Sequence, residues 1–180
     1  MTTWQIDWKG AYLNAMIDYD VYVRQPVGME VPRKEMLVCK LNKAVYGTCQ
    51  VGHLWNNMLD EFLTEKCKLE HCPFEPCLYR KVEGSKLMLI QVHMDDGAIL
   101  VDSNFEQAVD ELMECIEERF EIKRLRELQM YLGIRVEMSK NGTSIDQESY
   151  CQMIVEEFHE SQDVYRTPWD PKIDETFDEV

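Results

Sequence analysis

The 180-residue chain has a formal charge of −15 and is 45% hydrophobic. That balance suits one globular domain, or two small ones, with room for a sizeable core, and excludes a disordered chain. No run approaches the roughly 18 apolar residues of a membrane-spanning helix, and Met1-Thr2-Thr3-Trp4, followed at once by Gln5, Asp7 and Lys9, does not read as a secretion signal. The acidity argues against autonomous nucleic-acid binding, which usually draws its affinity from a basic surface. The seven scattered cysteines read as reduced thiols of an intracellular protein, cytoplasmic or nuclear.

Taken in order, Trp4-Gln5-Ile6-Asp7-Trp8 reads as a strand, broken by Gly10, and Ala11 to Met16 as a short helical turn. Asp7 thus falls at a strand end, where an acid is either a surface or capping group or a ligand aimed into a site. Val21 to Gln25 is rich in β-formers and stops at Pro26. Leu37 to Leu41 predicts another strand after a loop. From Val51 to Cys67 the period becomes 3.6. Leu54, Met58 and Phe62 join Trp55, Leu59 and Leu63 in one apolar stripe, the mark of an amphipathic helix on a core. Pro73 and Pro76 enforce a loop, and Cys77 to Val82 returns to strand.

Leu87 to Val101 is the most informative stretch. Two apolar runs flank Asp95-Asp96-Gly97, which predicts a buried hairpin with Gly97 supplying a positive φ in the turn. Asp-Gly is an ordinary hairpin turn, so punctuation is one reading of the acids. The other is a metal site, because Mg²⁺ takes carboxylate oxygens. Ser103 or Asn104 is placed to cap the next helix, whose spacing is carried by Phe105, Ala108, Val109, Leu112, Met113, Ile116 and Phe120. Tyr131 to Met138 predicts a strand, Asn141-Gly142 a type I′ turn, Thr143 to Ile145 the returning strand, and Gln147 to Glu160 a helix. The acidic tail with Pro168 and Pro171 reads as extended or disordered.

This order predicts an α+β fold, an antiparallel sheet with helices packed on one face. A strand carrying Asp7 beside a hairpin carrying Asp95 and Asp96 would gather three carboxylates. Two-metal phosphoryl transfer needs such a set, with ions roughly 3.5–4 Å apart. Cys67, His71, Cys72 and Cys77 lack the paired C-x₂-C spacing of structural zinc sites, so zinc is the weaker reading there.

Several blocks together resemble the reverse transcriptase of the Ty1/copia class of LTR retrotransposons, a part of the Pol polyprotein, from about Trp4 to Trp169. Ile6-Asp7-Trp8-Lys9-Gly10-Ala11-Tyr12-Leu13-Asn14 is similar to D-V-K-T-A-F-L-N-G. Val21 to Gly28 is similar to V-Y-M-x-Q-P-x-G, and Val38 to Gly47 to V-C-K-L-x-K-A-L-Y-G. Cys77-Leu78-Tyr79, Asp95-Asp96, Tyr131-Leu132-Gly133-Ile134 and Thr167-Pro168 follow in family order.

The resemblance implies a right-hand polymerase palm over residues 1–140 with the fingers largely missing. It further implies a primer-gripping hairpin and the start of a thumb over 131–160, and an acidic tail over 161–180. Asp7, Asp95 and Asp96 would be the catalytic acids, holding two Mg²⁺ ions, with Mn²⁺ as a substitute. Tyr12 would lie under the sugar of the incoming nucleotide and Gln50 near that nucleotide. The implied partners are an RNA or DNA template-primer and deoxynucleotides, flanked by the fingers, the rest of the thumb and a ribonuclease H region. Two blocks depart from the pattern. The family's Y-V-D-D is His93-Met94-Asp95-Asp96, and a Lys and an Arg of L-K-Q-A-P-R-x-W are replaced by Cys49 and His53. Lost cations weaken the electrostatics a polymerase uses. The alternative is therefore a catalytically inactive remnant or adapted fragment that acts, if at all, as a protein-interaction module.

Overall fold

The protein is represented by a computed structural model that describes residues 1–34 and 36–158. The expected acidic tail at 161–180 lies outside the described residues. The chain divides into two compact units, Met1–Gln129 and a second beginning at Met130.

The first unit holds β1 (Thr2–Trp8), β2 (Tyr22–Arg24), β3 (Val38–Lys40), α1 (Val51–Glu61), β4 (Glu70–Cys72), β5 (Glu75–Glu83), β6 (Lys86–His93), β7 (Asp96–Val101), α2 (Gln107–Glu117) and β8 (Ile122–Arg126). Six strands form an antiparallel sheet in the order β4-β5-β6-β7-β1-β8, while β2 and β3 make a separate ribbon. Alternate residues of the central strands point inward. Ile6 and Trp8 of β1, Met88, Ile90 and Val92 of β6, and Ile99 and Val101 of β7 are all buried. They share one core with Trp55 and Leu59 of α1 and Val109, Leu112, Met113 and Ile116 of α2. Each such side chain stabilises by about 1.5–3 kcal/mol on burial. The expected helical stripe after Val51 is present, and α1 runs on into a π-helical turn, Phe62–Lys66. At the far end of α1, Asp60 accepts a hydrogen bond from Tyr79 (2.8 Å) and lies 3.0 Å from His71 Nε2, tying that helix to β5 and β4.

Neither Ser103 nor Asn104 caps α2. Phe105 N–H bonds Asp102 C=O at 2.8 Å in a preceding turn, which delays the helix to Gln107 and leaves Glu106 at the cap position, where its side chain pairs with Arg126 and makes no capping bond. The Asp102 carboxylate is used elsewhere, accepting from Leu87 N–H at 2.9 Å.

The second unit contains β9 (Met130–Tyr131), β10 (Ile134–Ser139), β11 (Gly142–Asp146) and α3 (Glu148–Phe158). The strand expected over Tyr131 to Met138 is interrupted. Tyr131 pairs with Ile134 across Leu132 (φ 51°) and Gly133 (φ 77°), the double positive φ of a type I′ turn. The type I′ turn expected at Asn141-Gly142 is not made there. Ser139 pairs with Gly142 across Lys140 and Asn141, neither of which has a positive φ. Instead the Ser139 hydroxyl donates to Gly142 C=O (2.9 Å) and accepts from Asn141 N–H (3.2 Å). No side chain of α3 is buried.

Candidate active site

The turn between β6 and β7 sits at the centre of the six-stranded sheet. His93 pairs with Asp96, so the loop residues are Met94 and Asp95. Met94 has φ 54°, a backbone setting that costs a side-chain-bearing residue about 1–2 kcal/mol. Two bonds hold it. Trp55 Nε1 donates to Met94 C=O at 2.7 Å, and Trp8 N–H donates to Asp95 C=O at 2.8 Å. Trp55 in turn packs edge-on against Trp8, ring centroids 6.4 Å apart. The strained turn is thus clamped by two buried tryptophans.

Gly97 does not supply the positive φ expected of it. It lies within β7, and a Cβ there would come 2.7 Å from Trp8 Cζ3 and 2.8 Å from Cη2. The glycine is needed for close approach of the Trp8 ring, not for the turn, and Met94 takes the strained conformation instead.

Opposed residues of an antiparallel pair project from the same face. The registers therefore set His93, Asp96, Asp7 and Lys123 in one row across β6, β7, β1 and β8. This row lies on the face away from the core, since Ile6, Trp8 and Gly97 point inward. Asp7 and Asp96 are directly opposite each other and half-buried. Among the described residues, neither carboxylate forms an ion pair or accepts a side-chain hydrogen bond. The nearby Lys9 is engaged by Glu121, which, first by hydrogen bond and then by charge, raises the lysine's pKa. Like charges directly opposed destabilise a sheet, and Lys123, opposite Asp7 on its other side, offsets part of that cost. The donor set is all carboxylate oxygen, which fits a hard divalent cation. Among the described residues no three His, Cys, Asp or Glu side chains converge closely enough to hold an ion on their own.

Asp95 faces a different neighbourhood. The segment before α1 is pinned to the loop after β1 by Ala44 N–H to Ala15 C=O (2.9 Å) and by a Met16–Lys43 bridge. This brings Tyr46 onto Tyr12, ring centroids 4.6 Å apart, with its hydroxyl 3.5 Å from Asp95 Oδ2. Partial burial, then the Asp95 charge, push the Tyr46 phenol's pKa up, while the Tyr12 backbone N–H pulls the other way. Tyr46 is the residue that sequence reasoning missed. Its only signals were its place in a family block and an adjacent glycine. Gln50 stands at the start of α1, where its side-chain carbonyl accepts from Tyr19 at 3.0 Å. Tyr12, Trp55, Asn56, Cys77, His93 and Met94 line a cavity of about 180 Å³ beside the turn. Cys49 is exposed, and His53 bonds Asn57 at 3.0 Å.

An antiparallel sheet that presents paired acids at a central hairpin, backed by helices, defines an acid-bearing α+β domain. Residues 1–168 match the family model described as reverse transcriptase (RNA-dependent DNA polymerase), and the chain belongs to that family. Its relatives place it in the Ty1/copia class. It is 28% identical over 158 residues to a retrovirus-related Pol polyprotein from transposon TNT 1-94 of Nicotiana tabacum, covering 86% of the chain and 12% of that protein. It is 28% identical over 146 residues to the corresponding polyprotein from transposon RE1 of Arabidopsis thaliana, covering 81% and 10%. A putative transposon Ty5-1 protein of Saccharomyces cerevisiae is 28% identical over 139 residues, 76% of the chain and 44% of the relative. The chain thus spans about a tenth of the plant polyproteins it matches. No described helix is long and apolar enough to cross a membrane.

Proposed function

We propose that this chain is the palm of an RNA-directed DNA polymerase that joins deoxynucleotides to a primer with the help of two divalent ions. The observation that carries the reading is the direct opposition of Asp7 and Asp96 across β1 and β7, with Asp95 at the adjoining turn, in a member of the reverse transcriptase family. Carboxylates opposed on neighbouring strands repel unless something positive sits between them, and Lys123 flanks the pair only on the β8 side. Asp7, Asp95 and Asp96 would hold Mg²⁺, or Mn²⁺ in its place. Ions held there would supply Lewis-acid activation of the primer hydroxyl and charge stabilisation for the leaving group. A substrate triphosphate would supply further oxygens to complete their coordination.

The protein's own groups do the positioning. Trp55 and Trp8 hold the backbone of the Met94-Asp95 turn fixed, which limits how far the acids it carries must be reoriented. Tyr12 forms the floor for the sugar, where a ring selects against a 2′-hydroxyl. Gln50, bonded to Tyr19, stands at the edge of the nucleotide site. The template-primer, RNA or DNA, would be gripped by the β9–β10–β11 hairpins at Tyr131 to Ile145. The thumb would begin at α3, and fingers and ribonuclease H would come from other parts of the polyprotein.

Primer extension with Mg²⁺ or Mn²⁺, comparing the wild-type chain with Asp95→Asn, tests this. Extension that falls by roughly 10²-fold or more, the scale of losing one charge-stabilising group, supports the polymerase. Absence of extension with every template favours the adapted, non-catalytic alternative, to which Cys49, His53 and the charge of −15 point.

A further inference from the structure

Tyr46 touches two residues to which the proposed reaction gives different tasks. Its ring packs on Tyr12 at 4.6 Å, tilted by 42°, and its hydroxyl lies 3.5 Å from Asp95 Oδ2, a long contact that a small turn of the carboxylate closes to a hydrogen bond. The backbone gives Tyr46 little freedom to leave. Ala44, two residues before it, is fully buried and bonded to Ala15. Gly47 follows with φ 94°, and Thr48 closes a turn by donating its N–H and its hydroxyl to Val45 C=O. The opposite end of the same platform is equally fixed, because Asn14 Nδ2 donates to Gly10 and Ala11 carbonyls and so holds the turn that carries Tyr12. Asp95 has no other side-chain partner among the described residues. It sits on a two-residue loop whose backbone is clamped but whose carboxylate is otherwise free to rotate.

We propose that Tyr46 is a positioning residue that couples the sugar platform to the metal-side acid: its ring braces Tyr12 and its hydroxyl orients the Asp95 carboxylate. The inference rests on the polymerase reading for the roles of Tyr12 and Asp95, but the coupling itself does not. A nucleotide whose sugar displaces the Tyr12 ring moves the Tyr46 ring with it, and the Asp95 carboxylate loses its guide. A misfit at the sugar therefore also weakens the arrangement for transfer. The two halves of the contact are separable. Tyr46→Phe keeps the ring and removes the hydroxyl; Tyr46→Leu removes both.

The test uses the full chain in two measurements. Double-mutant cycles in urea unfolding read the contacts without any metal or substrate. The pair Tyr46→Phe and Asp95→Asn, and the pair Tyr46→Leu and Tyr12→Leu, are each expected to be non-additive. Strict additivity in the first pair overturns the proposal. Electron paramagnetic resonance of free Mn²⁺ then reads positioning. Tyr46→Phe is expected to weaken Mn²⁺ binding about threefold to tenfold, the worth of one hydrogen bond, and to have no further effect once Asp95 is already Asn. Binding by Tyr46→Phe equal to wild type also overturns it, since a merely structural ring would give that result. A wild-type chain that binds no Mn²⁺ while the first cycle stays non-additive rejects the metal reading and leaves the Tyr46–Asp95 coupling standing.

Discussion

Gly97→Ala is the substitution whose sign the structure decides against ordinary expectation. Replacing glycine by alanine in a strand normally stabilises by about 0.4–1 kcal/mol, because the unfolded chain has less freedom to lose. At position 97 the new methyl would stand 2.7 Å and 2.8 Å from two carbons of the Trp8 ring. That ring cannot swing away. It is 1% exposed and packs against Trp55, itself held by its bond to Met94 C=O. The backbone cannot yield easily either, since Gly97 is paired with Val92 on one side and Ile6 on the other. Overpacking of this kind costs about 1–3 kcal/mol. The net loss is then about 1–2 kcal/mol, which for a chain of this size lowers Tm by roughly 2–8 °C. Thermal unfolding followed by circular dichroism measures it. Gly52→Ala is the control. Its Cβ would meet only the Tyr12 hydroxyl, at 4.0 Å, and it lies in α1, so its Tm is expected to hold or rise. A Gly97→Ala chain as stable as wild type would refute the close approach of the Trp8 ring to Gly97.

Tyr79→Phe reports on the tie between α1 and the sheet edge. Burial, and then the hydrogen bond to Asp60, push the Tyr79 phenol well above the ordinary tyrosine range. The folded chain therefore holds a proton that the unfolded chain releases above about pH 10. Stability is fully present below that pH and falls as pH rises past it. Urea midpoints of the wild type should fall between pH 9 and 11, and Tyr79→Phe should flatten that slope; an unchanged slope would show that the phenol is not desolvated. Cys67 and Cys115 lie with their sulfurs 2.8 Å apart, and burial, reinforced by Cys115, raises the Cys67 pKa. Diamide takes two electrons and two protons as a thiol pair closes; among disulfides within the chain this pair is the one proximity favours, formed faster as pH rises and its scarce thiolate appears, giving a cross-link that peptide mapping locates and Cys115→Ser abolishes. A first cross-link through Cys72 and Cys77 would contradict the geometry.

The sequence carried the fold through its two periodicities. The 3.6-residue stripe from Leu54 to Leu63 and the alternation through Leu87 to Val101 both appear as buried faces of one core. Local turn chemistry was less legible. Asp95-Asp96-Gly97 looked like a turn centred on its glycine, yet Trp8 claimed Gly97 for packing and shifted the loop to Met94-Asp95. A two-residue Asn-Gly signal failed at 141–142 because the Ser139 hydroxyl closed that turn, while Leu132-Gly133 took the type I′ form with a leucine in a position that leucine disfavours. These outcomes depend on tertiary neighbours that no local window contains. The opposition of Asp7 and Asp96 was foreseen only as proximity; the register supplied the pairing. Tyr46 could not be placed from its own surroundings, because its position follows from the Ala44–Ala15 bond and the Met16–Lys43 bridge.

The central claim is that Asp7 and its neighbours form a cation site. Titrating Mn²⁺ into wild-type and Asp7→Asn chains, with Tm recorded at each concentration, tests it most directly. A cation that binds only the folded state raises Tm with concentration. The account predicts that wild-type Tm rises with Mn²⁺. Asp7→Asn loses both the repulsion from Asp96 and the attraction of Lys123, so the discriminating readout is its response to Mn²⁺, which should be small. A wild-type Tm indifferent to Mn²⁺, or an Asp7→Asn chain that responds equally, would contradict it.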